Sequence, residues 1–172
     1  MNLTKNTRKS ADTTYYIAHG SPVGTLLVAA TDAGISGIYF EEHRHFKGTE
    51  GWLNAPEHPY LRLAAHQLNE YFAGSRQQFD LPLALRGTDF QRAVWLALMA
   101  IPFGQTTTYG EHAQQIGKPN AVRAVGTAIG RNPVSIIVPC HRVLGASGAL
   151  TGYAGGLERK RFLLRHEQST QA

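Results

Sequence analysis

The run Ile136-Ile137-Val138-Pro139-Cys140-His141-Arg142-Val143 carries the single cysteine of the chain, with an imidazole at the next position. A thiol becomes a strong nucleophile as thiolate, and a neighbouring base or cation is the usual means of making one. Here an apolar, strand-like run delivers the sulfur to a proline stop. On an extended strand neighbouring side chains point apart. Contact between Cys140 and His141 therefore requires a turn at Pro139-Cys140 or a bridging water. The base in turn needs a group to orient it. The second half of the chain offers Asp89, Glu111, Glu158 and Glu167, and spacing does not choose among them. A lone cysteine is most often a small buried hydrophobe, and a lone histidine a hydrogen-bonded structural residue; it is their adjacency at a proline stop that points to chemistry.

Two further clusters have residue types that do chemistry. Gly145, Gly148, Gly152, Gly155 and Gly156 surround Tyr153. This stretch lacks the strand–GxGxxG–helix context of a dinucleotide site and the GxxxxGK[ST] phosphate loop. A mobile loop beside the thiol suits a flat substrate instead, with Tyr153 stacking on it or closing over it. Glu41-Glu42-His43-Arg44-His45, with His58 and His66 further on, resembles a metal cluster only in composition. No further ligand has a persuasive spacing, and no metal or cofactor is expected.

The chain that must position these residues has 172 residues, 42% of them hydrophobic. That is enough core for one ordinary domain or two small ones. One cysteine excludes an internal disulfide and a multi-cysteine zinc site. No run approaches the roughly 18 apolar residues of a membrane span. Residues 1–14 are polar and lack the apolar centre of a secretory signal; a frayed start and a cytoplasmic protein are expected. Residues 1–86 hold eight Lys/Arg and eight Asp/Glu, whereas residues 87–172 hold nine and four, so the whole net charge of +5 lies in the second half. A basic half suggests a polyanion, most often nucleic acid.

Strand candidates fall at 14–18, 25–31 and 35–40, separated by Gly20-Ser21-Pro22 and Asp32-Ala33-Gly34, as in an antiparallel meander. Residues 41–59 are polar and irregular. Leu61, Ala64, Ala65, Leu68, Tyr71 and Phe72 recur at helical spacing, and Gly74 closes that helix. An edge strand at 79–85 is the other candidate before a boundary that divides the chain into 1–86 and 87–172. Thr88-Asp89-Phe90-Gln91 fits a capping box and opens a helix with Phe90, Val94, Leu98 and Ile101 on one face. A second box, Thr108-Tyr109-Gly110-Glu111, opens a short helix to Ile116. Gly117-Lys118-Pro119 makes a turn, and a third helix runs from about Asn120 to Ile129.

A short capped helix, a glycine-containing turn and a second helix suggest a helix-turn-helix. Val122, Val125 and Ile129 mark the core face of the second helix. Asn120, Ala124, Thr127 and Arg131 lie opposite, with Arg123 on the flank. Small residues there let a backbone approach a groove, while the arginines reach phosphates or enter the stack.

Together, Pro139-Cys140-His141-Arg142-Val143 and its surroundings resemble the active-site signature of the O6-alkylguanine-DNA alkyltransferase family. The resemblance covers nearly all of residues 88–168; the first half is similar in length and element order. It implies an α+β, mixed α/β fold: a small ribonuclease-H-like N-terminal domain and a winged-helix-like C-terminal domain containing the helix-turn-helix. It implies a DNA repair methyltransferase that flips an O6-alkylguanine, or an O4-alkylthymine, out of duplex DNA. The alkyl group then passes irreversibly to the protein's own cysteine, once per molecule. By this resemblance Cys140 is the alkyl acceptor, His141 the water-bridged base and Glu167 the carboxylate that polarises it. Asn132 braces the turn between recognition helix and active-site strand. Tyr109 hydrogen-bonds the flipped guanine and shifts its phosphate, while Arg123 fills the vacated stack. The carbonyls of Cys140 and Val143 read the exocyclic amine, and Tyr153 with the amide of Ala154 lines the lid. With Arg123, the residues Ala124, Thr127 and Arg131 face the DNA. The family's zinc sites have no cysteines here to build them, and a monomer is expected.

Overall fold

The computed structural model describes residues 13–171. The expected frayed start lies, for residues 1–12, outside the described residues. β1 (Tyr15–His19), β2 (Leu26–Thr31) and β3 (Gly34–Tyr39) form the anticipated antiparallel meander. The stretch 41–59 is not wholly irregular: β4 (Leu53–Asn54) adds to β1 in parallel, giving the order β3-β2-β1-β4. α1 (Pro59–Phe72) packs on this sheet. Its stripe Leu61, Ala64, Leu68 and Tyr71 is buried against Leu26, Val28, Ala30 and Ile35. The expected edge strand at 79–85 shrinks to one bridge, Leu83 beside Ile35. Pro82 has no N–H to continue a ladder; its carbonyl accepts from the Ile35 amide at 2.8 Å. Gly34 permits this approach, since a Cβ there would lie 2.5 Å from the Pro82 oxygen.

The second half is helical. Both capping boxes form: Thr88 with Gln91 starts α2 (Asp89–Leu98), and Thr108 with Glu111 starts α3 (Tyr109–Gln115). Gly117 adopts φ 74°, and the Lys118 amide bonds the Ala113 carbonyl at 2.8 Å, ending α3 in the left-handed manner that favours glycine. α4 (Val122–Gly130) begins two residues later than the sequence suggests. Its β-branched residues and glycines give it little intrinsic helicity, and it has no side-chain cap. Packing holds it instead: Val125, Ala128 and Ile129 are buried, and Trp95 Nε1 of α2 donates to the Ala128 carbonyl at 2.7 Å. Val122 departs from the expected core face. It is exposed and lines a cavity.

The run before the cysteine is not a strand. Residues 134–138 form successive turns, with Ile136 at φ 73°. A β-branched residue in that region costs about 1–3 kcal/mol, and its surroundings hold it there. Ile38 of β3 donates to the Pro133 carbonyl at 2.9 Å, and the Val138 amide bonds the Val134 carbonyl at 3.0 Å. The first half's sheet edge thus anchors the segment that leads to Cys140. A single 3₁₀ turn, Cys140–Arg142, follows. Then β6 (Val143–Leu144) pairs in parallel with β5 (Thr107–Thr108). α5 (Leu157–Gln171) is the last described element, and Glu167 lies inside it. The architecture is the expected mixed α/β fold: a sheet with its helix in the first half and packed helices in the second.

Candidate active site

The 3₁₀ turn at Cys140–Arg142 does not bring the adjacent thiol and imidazole into contact but turns them apart. The Arg142 amide closes on the Pro139 carbonyl at 3.0 Å, and the Val143 amide on that of Cys140. Successive side chains around such a turn diverge, so Cys140 faces a cavity while His141 goes inward. The cavity encloses about 730 Å³. Cys140 and Asn132 form one wall, Tyr109 another, and residues 151–154 a lid. Arg123 and Thr127 of α4, with Arg131 at its C-cap, line its rim.

Asn132 is buried and holds this wall together. Its Nδ2 donates to the Val138 carbonyl at 2.9 Å and to Cys140 Sγ at 3.1 Å, and its Oδ1 accepts from the Val134 amide at 3.0 Å. Burial pushes the Cys140 thiol up; the Asn132 hydrogen bond and the nearby Lys160 charge oppose this only in part. The resting sulfur is therefore a thiol.

His141 is fully buried, and its Nε2 lies 2.7 Å from Glu167 Oε1. Glu167, 1% exposed, also accepts from Arg142 at both oxygens (2.9 Å each), from the Tyr71 hydroxyl at 2.9 Å and from the Gly104 amide at 3.3 Å. Burial alone raises a carboxyl; here His141 and Arg142 outweigh it and hold Glu167 well below the usual carboxylate range. Burial lowers His141, against the pull of Glu167. The consistent state is a carboxylate facing a neutral imidazole protonated on Nε2. Nδ1 is then a free lone pair, and it makes no hydrogen bond within the protein.

On the far wall the Tyr109 hydroxyl donates to the Thr151 carbonyl at 3.3 Å, and burial raises its pKa, so the phenol keeps its proton. Tyr153 is half-buried in the lid, with a pKa held well above the ordinary value by burial and by Cys140. The Ala154 carbonyl accepts from the Arg44 amide at 2.9 Å. Gly155 must lack a side chain, since a Cβ would meet the Phe40 ring at 2.3 Å. Val143 is fully buried outside the lining, and its carbonyl already accepts from Lys160 Nζ at 2.7 Å. Arg123, Ala124, Thr127 and Arg131 share the exposed side of α4; Ala124 stands off the cavity itself.

Several participants escape the residue pattern. Lys160 is fully buried, bonds the carbonyls of Val143, Thr151 and Gly152, and has its pKa lowered by burial to about 8. Its signal was available: Lys160, Leu163 and Glu167 share one helical face, so two ionisable groups sit on an apolar stripe. Arg142, Arg44 and His45 carry no comparable signal, and the last two reach the cavity from the first half. His43 and His58 serve structure: His43 accepts from the Phe40 amide, and His58 caps α1. Among the described residues no three His, Cys, Asp or Glu side chains converge on a metal position, and no helix is long and apolar enough to cross a membrane.

The chain resembles known proteins along almost its whole length. Residues 14–85 match 6-O-methylguanine DNA methyltransferase, ribonuclease-like domain, and residues 89–169 match its DNA binding domain. The methylated-DNA–protein-cysteine methyltransferase of Methanosarcina acetivorans is 49% identical over 156 residues, covering 90% of this chain and 99% of that one. The protein of the same name from Mycobacterium bovis is 50% identical over 155 residues, covering 90% and 93%. The crystal structure of Mycobacterium tuberculosis OGT in complex with DNA superposes with a TM-score of 0.84 at 49% identity, covering 91% of this chain and 94% of that one.

Proposed function

Because the chain belongs to the 6-O-methylguanine DNA methyltransferase family, we propose that Cys140 accepts the alkyl group from an O6-alkylguanine flipped out of duplex DNA, once per molecule. Membership makes it a methylated-DNA–protein-cysteine methyltransferase and a DNA-binding repair protein. The observation that carries the assignment to Cys140 is the sulfur on the cavity wall, with an imidazole–carboxylate pair directly behind its turn.

In this reading α4 enters the minor groove, where readout is degenerate and damage anywhere is tolerated. Arg123 fills the vacated stack while Ala124, Thr127 and Arg131 lie along the duplex. Flipping costs a few kcal/mol and is cheapest where alkylation has already weakened pairing. The base enters between Tyr109 and the lid, lined by Tyr153 and the Ala154 amide. The carbonyls of Cys140 and Val143 read its exocyclic amine; Val143 keeps one lone pair for this beside Lys160. The thiol proton passes through a water to His141 Nδ1, and Glu167 stabilises the imidazolium. Sulfur attacks the alkyl carbon as the carbon–O6 bond breaks, and guanine leaves with a proton from Tyr109. Asn132 keeps the sulfur aimed. Residues 1–86 and 87–172 act as two domains of a cytoplasmic monomer, and O4-alkylthymine is taken by the same route.

A duplex with a labelled O6-methylguanine tests this. Label should move to protein up to one equivalent and then stop, and an O4-methylthymine duplex should behave likewise. Label that stays on the DNA would make the chain a binder of damaged DNA. Release beyond one equivalent would make it a cysteine hydrolase.

A further inference from the structure

One donor on Glu167 comes from the first half of the chain. Tyr71 lies in the last turn of α1 and is wholly buried. Its hydroxyl donates to Glu167 Oε1 at 2.9 Å, the same oxygen that His141 Nε2 reaches at 2.7 Å. Its ring is fixed by Phe72, Phe79 and His166, with centroids 5.1, 5.5 and 5.0 Å away. Its carbonyl accepts from His166 Nε2 at 2.7 Å. A phenylalanine would fill the same space, and a buried hydroxyl is costly unless it is bonded. The packing therefore accounts for the ring but not for the oxygen.

We infer that Tyr71 is a positioning residue for the Glu167–His141 pair, so that the first half of the chain completes the activation of Cys140. This rests on the reading of Cys140 as alkyl acceptor. Glu167 holds the imidazole in one orientation only if its own carboxylate cannot rotate. Arg142 grips it from one side, the Gly104 amide supports Oε2, and Tyr71 supports Oε1 from a separate element. The phenol also draws charge from Oε1 and so moderates the pull on His141. The charged groups acting on His141 are Glu167 and Lys160 of α5 and Arg142 of its own turn. With the phenol gone, Oε1 keeps more charge and favours the imidazolium.

The test is single-turnover methyl transfer by Tyr71→Phe across the acid and neutral range. The neutral-pH rate should fall roughly 5- to 30-fold, as expected for one buried hydrogen bond. The acid limb should move to higher pH, because His141 becomes easier to protonate, while the melting temperature stays close to wild type. An unchanged rate and limb would overturn the inference. So would a slower rate with an unmoved limb, or a variant that does not fold, since either makes the hydroxyl merely structural. Wild type in the same assay separates the two levels: if it takes up no methyl group, the acceptor reading fails and the role of Tyr71 falls with it.

Discussion

Cys140→Ser should bind duplex DNA as wild type does and leave the methyl group on the guanine. The substitution keeps the shape of the wall, and Asn132 Nδ2, 3.1 Å from the sulfur, still has an acceptor to bond. On the proposed reading DNA binding uses the exposed side of α4, which the change does not touch. What disappears is the nucleophile: a serine hydroxyl is weakly acidic, and the neutral His141 cannot ionise it to a useful extent. The transfer rate should fall by a factor on the order of 10⁶, the scale seen when a catalytic nucleophile is deleted. Radiolabel transfer beside a gel-shift titration measures both halves. A serine variant that still transferred the methyl group would remove the acceptor from residue 140.

Glu167→Gln is expected to damage stability and chemistry together. It strips the charge from the group that pairs with the buried Arg142 and orients His141. Leaving one partner of a buried ion pair uncompensated costs about 3–5 kcal/mol, a fall of roughly 6–20 °C in melting temperature for a chain of this size. Surviving folded protein should transfer far more slowly, because the imidazolium has lost its counter-charge. The pH dependence has a definite sign. The carboxyl of Glu167 is depressed in the folded state, so wild type carries its full contribution above the unfolded carboxylate pKa, about 4.3. That contribution is lost as pH falls toward the folded value. The glutamine variant should lack this part of the acid destabilisation; melting curves from neutral to acid pH measure it. Identical acid slopes in the two proteins would contradict the assignment.

The residues legible in the sequence are those whose chemistry is local. The two capping boxes, Gly117 and the stripe of α1 depend on neighbours within one turn, and each forms as its pattern implies. Cys140 beside His141 is legible for the same reason. The course of residues 134–138 is not. Apolar runs of that length suit strands, but Asn132 and the edge of β3 bend this one into turns around Ile136. The site's support is also long-range. Tyr71 and Glu167 are separated by 96 positions and Arg142 and Ile101 by 41, and no pattern in either segment announces the pairing. Glu167 itself is singled out by family resemblance rather than by spacing. Lys160 is the instructive intermediate, since its place on an apolar helical face marks it as buried without saying which carbonyls it meets.

The most direct measurement is the mass of the proteolytic peptide containing residue 140, taken after wild-type protein is exposed to duplex DNA bearing O6-methylguanine. The expected result is a gain of one methyl group on Cys140, nowhere else, with a matching count of restored guanines. Restored guanine with an unmodified Cys140 peptide, or a methyl group on another residue, would contradict the account at its centre.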